Sequence, residues 1–89
     1  MDLNELRQKI NKIDDELVRL FEQRMEVSGE IAKYKLLNNM QMYDPTREQE
    51  IIKGLSAKVK KEYEAYIISF YTHLFELSRE NQKRVISSN

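Results

Sequence analysis

The residues best suited to chemistry are cations that fall where helix packing should demand an apolar side chain. From Leu3 to roughly Leu36, apolar residues recur at alternating steps of three and four, which gives a helix one continuous apolar stripe. Position 24 of that stripe is Arg24, and a guanidinium there is costly unless an anion or a hydrogen-bonding partner meets it. Lys35 follows about three turns later, so both cations project from nearly the same face, with Cα atoms ~16 Å apart. Two such long side chains can close around a small anion.

Polar residues also interrupt two later helical stretches. Ser78 and Gln82 are four residues apart and continue the line of an apolar seam on the last stretch. Asp44, Arg47 and Glu48 cluster in the first turn of the middle stretch, where backbone N–H groups lack intrahelical partners. Each of the three stretches therefore carries polar groups where packing alone favours Leu or Ile.

Each of these residues also has a purely structural interpretation. Arg24 can extend to a solvated edge, and Asp44 is sufficient as a helix N-cap. Ser78 and Gln82 can lie where the last helix leaves the core. His73 is the only histidine, and it has no Cys or His partner for a metal site. Neither a glycine-rich phosphate loop nor a nucleophile–histidine arrangement is evident.

The periodicity predicts a single all-α domain of three helices, long, short and long, with no period-two alternation typical of strands. Asp2 followed by Glu5 resembles a capping box, and Asp44-Pro45 is a clear start for the second helix. Gly29 falls inside the first helix at a cost of about 1 kcal/mol relative to Ala, and the sequence does not say whether packing or a ligand is the reason. The domain is predicted over residues 1–89, with helix 1 at about 3–37, helix 2 at about 45–59 and helix 3 at about 62–86.

The length of helix 1 predicts an oligomer. About 34 helical residues make a rod of roughly 50 Å, whereas a compact domain of this size has a radius of gyration of only ~13 Å. The rod should project beyond its own core, and its apolar stripe then needs cover. A second copy of the chain is the most economical cover, so the sequence predicts an intertwined homodimer.

The composition excludes several classes of protein. Fifteen basic and fifteen acidic side chains give a net charge near zero, so there is no electrostatic reason to expect nucleic acid or a membrane surface as a partner. The absence of cysteine excludes disulfides and thiolate metal sites. The most apolar window, residues 65–75, is too short to span a bilayer, and the charged N-terminus is unlike a secretory signal. The expected location is the cytoplasm.

The order and spacing of these polar residues resemble the all-α class of chorismate mutases. The likeness extends over nearly the whole chain, through LRQKINKIDDELVRLFEQR, IAKYK, DPTREQEI and LSRENQ, with a match at every polar position of that family's active site. No regulatory extension is visible, so the expected form is stand-alone and monofunctional. The matching residues are Arg7, Arg24, Lys35, Asp44, Arg47, Glu48, Ser78 and Gln82.

The resemblance implies the Claisen rearrangement of chorismate to prephenate on the route to phenylalanine and tyrosine, without metal or cofactor. It implies a dimer with two equivalent sites, in which Arg7 of one subunit joins Arg24 of the other on the substrate's carboxylates, helped by Ser78. Lys35 and Gln82 would flank the ether oxygen. Spacing agrees on one point: Arg7 lies about 25 Å along the rod from Arg24, too far to share a small ligand within one subunit.

The resemblance also places Glu48 and the Asp44 region at the ring hydroxyl, with Arg47 supporting that end. Within this set Lys35, Gln82, Arg24 and Glu48 are the expected catalytic residues. The chemistry agrees, because a dicarboxylate suits a cationic pocket and a pericyclic reaction needs no base, nucleophile or cofactor.

Two other functions stay open. An isochorismate–pyruvate lyase would use a similar basic pocket, although the complete set of Asp44, Arg47 and Glu48 favours the mutase. The chain could instead be a non-catalytic helical module that dimerises or regulates another aromatic-pathway enzyme. Arg24 and Lys35 would then have no functional role. Association with such an enzyme is compatible with either function.

Overall fold

The computed structural model describes residues 1–88, and within them it is all-helical, with no strand. The predicted all-α fold of three helices is confirmed. No helix in this range is both long and apolar enough to cross a membrane. The elements are α1 (Leu3–Leu37), α2 (Pro45–Lys58), a short 3₁₀ turn (Lys61–Tyr63) and α3 (Glu64–Ser87).

Side-chain caps set the ends of the first two helices. Asp2 Oδ1 accepts a hydrogen bond from the backbone N–H of Glu5 at 2.9 Å, which starts α1. The chain leaves α1 through Asn39, whose φ of 54° is the left-handed conformation that asparagine tolerates. Asp44 Oδ1 then accepts from the N–H of Arg47 at 3.0 Å and starts α2. The connection between α1 and α2 is therefore short and defined at both ends.

The α3 helix is the element against which both α1 and α2 pack. Its crossing with α1 is made by small residues, since Ser28, Gly29 and Ala32 are the buried positions of α1. A Cβ added at Gly29 would lie 3.2 Å from Cγ2 of Val85, closer than an unstrained contact. Gly29 is therefore explained by packing, because a larger residue would hold α1 and α3 apart.

The first two-thirds of α1 form an arm that the rest of the chain does not cover. Every residue from 1 to 23 is exposed. The radius of gyration is 16.2 Å and the longest dimension is 54 Å, whereas a compact chain of this length would have a radius of about 12 Å. The six residues of the apolar stripe within the arm are 45–60% exposed: Leu3, Leu6, Ile10, Ile13, Leu17 and Leu20. The described core is correspondingly small, with Ala32, Leu74 and Phe75 as its buried hydrophobic residues.

The packing at Gly29 predicts opposite effects for one substitution at the two glycines of the chain. Gly29→Leu should lower the free energy of unfolding by about 1–3 kcal/mol, because the new side chain must displace Val85 and α3. Gly54→Leu is the matched control: a Cβ added at Gly54 in α2 would meet no neighbouring atom within 4 Å, so helix propensity should raise stability by about 0.5–1 kcal/mol. Urea unfolding at one protein concentration measures both. Equal effects at the two sites would contradict this account of the crossing.

Candidate active site

A cleft of about 300 Å³ opens between the C-terminal part of α1, the start of α2 and the C-terminal part of α3. The structure brings together seven of the eight polar residues singled out in the sequence, although they are spread over 59 positions of the chain. These seven are Arg24, Lys35, Asp44, Arg47, Glu48, Ser78 and Gln82. Arg7 does not line the cleft, since it lies on the exposed arm, seventeen residues before Arg24.

Aromatic rings of α3 orient the guanidinium of Arg24. Its Cζ atom lies 5.7 Å from the ring centroid of Tyr71 and 5.8 Å from that of Phe75. The two rings meet edge to face with centroids 5.9 Å apart. Cation–π attraction offsets part of the cost of placing this charge on an apolar stripe. Arg24 is therefore part-buried at one end of the cleft, and packing against the two rings fixes the position of its guanidinium.

Lys35 ties the end of α1 to the connection that follows it. Its Nζ donates a hydrogen bond to the backbone carbonyl of Met42 at 3.1 Å. An ammonium group carries three protons, so this bond leaves two available to a ligand. Lys35 is also part-buried, which makes its charge more effective towards an anion in the cleft than it would be at a fully solvated site.

Hydroxyl and amide groups line the α1–α3 side of the cleft. The buried hydroxyls of Ser28 and Ser78 are 2.5 Å apart, and Nε2 of Gln82 donates to the backbone carbonyl of Ser28 at 3.1 Å. Gln82 keeps its second amide proton and its carbonyl oxygen for other partners. Sequence reasoning missed Ser28. The signal was the small residues at positions 28, 29 and 32, which mark a close helix crossing.

The three polar residues at the start of α2 differ in their surroundings. Asp44 Oδ1 caps the helix, so the side chain has a structural role whatever else it does. Arg47 is exposed and pairs with Glu50 at 3.4 Å on the same helix. Glu48 is part-buried and pairs across the cleft wall with Arg79 of α3, with Oε2 and Nη1 2.5 Å apart.

Arg79 is a cleft residue that sequence reasoning did not identify. Its guanidinium lies over the ring of Tyr43, 5.0 Å from the centroid, and the hydrogen bond to Glu48 raises the pKa of Arg79. Its only signal in the sequence was its position next to Ser78, which is too weak to identify a partner on another helix.

The charges of the cleft suit a small dianion. Four cations line it, Arg24, Lys35, Arg47 and Arg79, against the two carboxylates of Asp44 and Glu48. Arg47 pairs with Glu50 outside the lining and Arg79 pairs with Glu48, so within residues 1–88 Arg24 and Lys35 are the two lining cations without a carboxylate partner. Guanidinium groups are well suited to carboxylates. Within residues 1–88, no three His, Asp or Glu side chains gather as ligands for a metal ion. The arrangement can bind a dicarboxylate and stabilise negative charge that develops on it.

Fold and cleft together define a three-helix protein with a cationic, hydrogen-bonding pocket for a small anion, and comparison with known proteins identifies its family. Residues 6–83 match the family described as chorismate mutase type II, a range that contains all eight candidate site residues. The chain belongs to this family.

Three curated relatives illustrate the similarity, and each is named as a bifunctional chorismate mutase/prephenate dehydratase. The Buchnera aphidicola protein is 34% identical over 90% of this chain and 22% of its own length. The Escherichia coli protein is 34% identical over 85% of this chain and 19% of its own length. The Aquifex aeolicus protein is 34% identical over 70% of this chain and 17% of its own length. The chain thus spans about a fifth of the length of these relatives.

The buried serine pair predicts energetic coupling across the helix crossing. Ser28→Ala or Ser78→Ala alone leaves the other hydroxyl buried without this partner, and each should lower the free energy of unfolding by about 1–2 kcal/mol. The double variant should be less destabilised than the sum, with a coupling of about 1 kcal/mol. Denaturant unfolding of the four proteins measures this coupling, and Ser69→Ala, on an exposed position of α3, is the control. Strict additivity would mean that the hydrogen bond does not form.

Proposed function

We propose that this chain catalyses the Claisen rearrangement of chorismate to prephenate, in the biosynthesis of phenylalanine and tyrosine. The observation that carries the proposal is the gathering of seven polar residues in one cleft, with an excess of two positive charges on Arg24 and Lys35, which have no carboxylate partner within residues 1–88. Chorismate is a dicarboxylate and balances that excess. Membership of the chorismate mutase type II family supports the same reaction.

In the proposed complex, Arg24 and Ser78 bind carboxylate groups of the substrate. Tyr71 and Phe75 limit the conformations of Arg24, so less side-chain entropy is lost when the guanidinium pairs with a carboxylate. Ser78 is already placed by its bond to Ser28. The cleft therefore offers donors that need little rearrangement, as a flexible substrate held in one conformation requires.

Lys35 and Gln82 are the proposed donors to the ether oxygen. A pericyclic rearrangement transfers no proton and forms no covalent adduct with the protein. The catalytic contribution is then to hold the enolpyruvyl arm in its reactive conformation and to stabilise the negative charge that grows on the ether oxygen as the C–O bond breaks. Each donor has one hydrogen bond to a backbone carbonyl, which orients it while leaving protons for the substrate.

The ring hydroxyl is proposed to lie at the α2 end of the cleft. Glu48 offers a carboxylate oxygen as an acceptor beside Asp44, whose Oδ1 and backbone carbonyl already accept from the N–H groups of Arg47 and Glu48. Arg47 is exposed and bound to Glu50, which suits a supporting electrostatic role better than direct contact with the substrate.

We further propose an intertwined homodimer in which Arg7 completes the partner's site. The arm is apolar along one stripe and wholly exposed in the single chain, and burying apolar surface is the dominant driving force for association. Arg7 lies on this arm about 25 Å from Arg24 of the same chain, so it can serve a site of this kind only in another copy. Dimerisation and catalysis would then be one requirement.

The bifunctional names of the relatives support a second aromatic-pathway enzyme as a further proposed partner. The cytoplasm is the proposed compartment on the grounds of the sequence alone. The proposal concerns residues 1–89 as one mutase domain. The other activity in those names belongs to the relatives themselves.

The direct test is turnover of chorismate by the purified chain, run beside isochorismate with identification of the products. We expect conversion of chorismate to prephenate. Release of pyruvate from isochorismate alone would replace the mutase with a lyase. A folded dimer that turns over neither substrate would favour a non-catalytic module.

Lys35 provides the sharpest mutational prediction. Lys35→Ala should lower kcat/KM for chorismate by ~10²–10³, the usual cost of losing one preorganised donor to a developing charge. Gln82→Ala should have an effect of the same order. Lys33→Ala is the matched control: Lys33 is exposed on the same helix and does not line the cleft, so its kinetics should stay normal. Near-normal kinetics in the Lys35 variant would remove it from the mechanism.

The shared site predicts complementation between two inactive variants. Arg7→Ala and Arg24→Ala should each be nearly inactive alone. After co-refolding in equal amounts, half of the dimers are mixed and each has one intact site of two, so about a quarter of the wild-type activity should return. Recovery of no activity, with mixed dimers verified by mass spectrometry, would mean that both arginines serve the same subunit. Normal activity of Arg7→Ala alone would mean that Arg7 serves no site.

A further inference from the structure

One ion pair of the chain differs from the others. Within residues 1–88, three pairs join side chains three positions apart on one helix, and all are more than half exposed: Glu16–Arg19, Arg47–Glu50 and His73–Glu76. Such pairs contribute little to stability. The pair between Glu48 and Arg79 joins α2 to α3, and its side chains are only 24% and 34% exposed. Among these four pairs, only this one has both of its side chains in the lining of the cleft.

The geometry of Arg79 leaves part of Glu48 available. Nη1 of Arg79 donates to Oε2 of Glu48, and no hydrogen bond to Oε1 occurs in the described part of the chain. The face of the guanidinium is covered by the ring of Tyr43. Arg79 is thus held between an aromatic ring and a carboxylate, a position that suits orientation of its neighbour better than capture of a ligand.

The charges of the cleft give this contact a second consequence. A carboxylate beside several cations forms an ion pair with whichever cation it can reach. If Glu48 turned towards Arg24 or Lys35, it would neutralise a charge that the proposed substrate needs. Pairing with Arg79 satisfies Glu48 at the wall of the cleft and leaves the other cations for carboxylates of the ligand.

We propose that Arg79 is a positioning residue, which holds Oε2 of Glu48 so that Oε1 accepts a hydrogen bond from the substrate's ring hydroxyl. This inference rests on the proposed mutase function and adds a residue to it. Arg79 acts through Glu48 and does not itself contact the reacting atoms. Its effect should therefore depend on the presence of both the Glu48 carboxylate and the ring hydroxyl.

A double-mutant cycle with chorismate as substrate tests this dependence. Arg79→Met should lower kcat/KM by ~10–100-fold, the range typical of residues that orient a ligating group. In a Glu48→Ala background, the same substitution should cause little further loss, because the group that it positions is already gone. With a chorismate analogue that lacks the ring hydroxyl, wild type and Arg79→Met should perform alike. The proposal would be overturned if the losses in kcat/KM from the Arg79 and Glu48 substitutions multiplied in the double variant. It would also be overturned if Arg79→Met lost as much activity with the analogue as with chorismate.

Two further variants separate positioning from simple support of the fold. Arg79→Lys keeps the charge but loses the planar group that lies over Tyr43, and should restore only part of the activity lost in Arg79→Met. Arg84→Met is the matched control, because Arg84 is exposed on the same helix outside the cleft and should retain wild-type kinetics. Thermal unfolding of each variant shows whether it folds. A loss of activity that follows the melting temperature across the variants would contradict a positioning role.

Crystal structures of wild type and Arg79→Met test, independently of turnover, whether Arg79 holds the Glu48 carboxylate in position. We expect the Glu48 carboxylate to leave its wild-type position, either for another rotamer or for disorder, when Arg79 is replaced. An unchanged carboxylate would overturn the inference. If wild type does not convert chorismate, the proposed function fails and any role in that reaction fails with it, while the crystal structures still decide whether Arg79 positions Glu48.

Discussion

The close crossing of α1 and α3 is the constraint on which the rest of the structure depends. Gly29 lets the helices approach until a Cβ would meet Val85, and the buried hydroxyls of Ser28 and Ser78 join across the gap. At this separation, the amide of Gln82 reaches a backbone carbonyl of α1. A wider crossing would leave those polar groups buried without partners, which is costly, so packing and hydrogen bonding specify the same geometry.

Two of the four cations that line the cleft have no carboxylate partner within residues 1–88. Arg47 pairs with Glu50 and Arg79 with Glu48, which leaves the charges of Arg24 and Lys35. Cations held close together in spite of their mutual repulsion are typical of sites in which a bound anion supplies the balancing negative charge. The arm also lacks a partner, because residues 1–88 of one chain contain nothing that covers its apolar stripe. Both features support the proposed binding of a dicarboxylate in the cleft and of a second copy along the arm.

Much of the fold and the cleft could be predicted because the relevant signals are local or periodic. Helical spacing, the Asp44-Pro45 start and the absence of period-two alternation indicated three helices. Arg24 was conspicuous because it broke a regular stripe. Ser28 and Arg79 were missed because serine and arginine are ordinary on a helix surface, and only the partner across the helix interface makes either of them notable. The reason for Gly29 was invisible for the same cause, since Val85 lies 56 positions further along the chain.

The sequence by itself determined the helices, the length of the arm and the types of polar groups, because propensity, capping and periodicity act within a few residues. It also carried the resemblance through which the family was expected. Only the tertiary structure decided which helix faces meet, and with them the pairing of Glu48 with Arg79 and of Ser28 with Ser78. Those pairings depend on the separation and angle at which helices cross, which arise from side chains distant in the chain packing together.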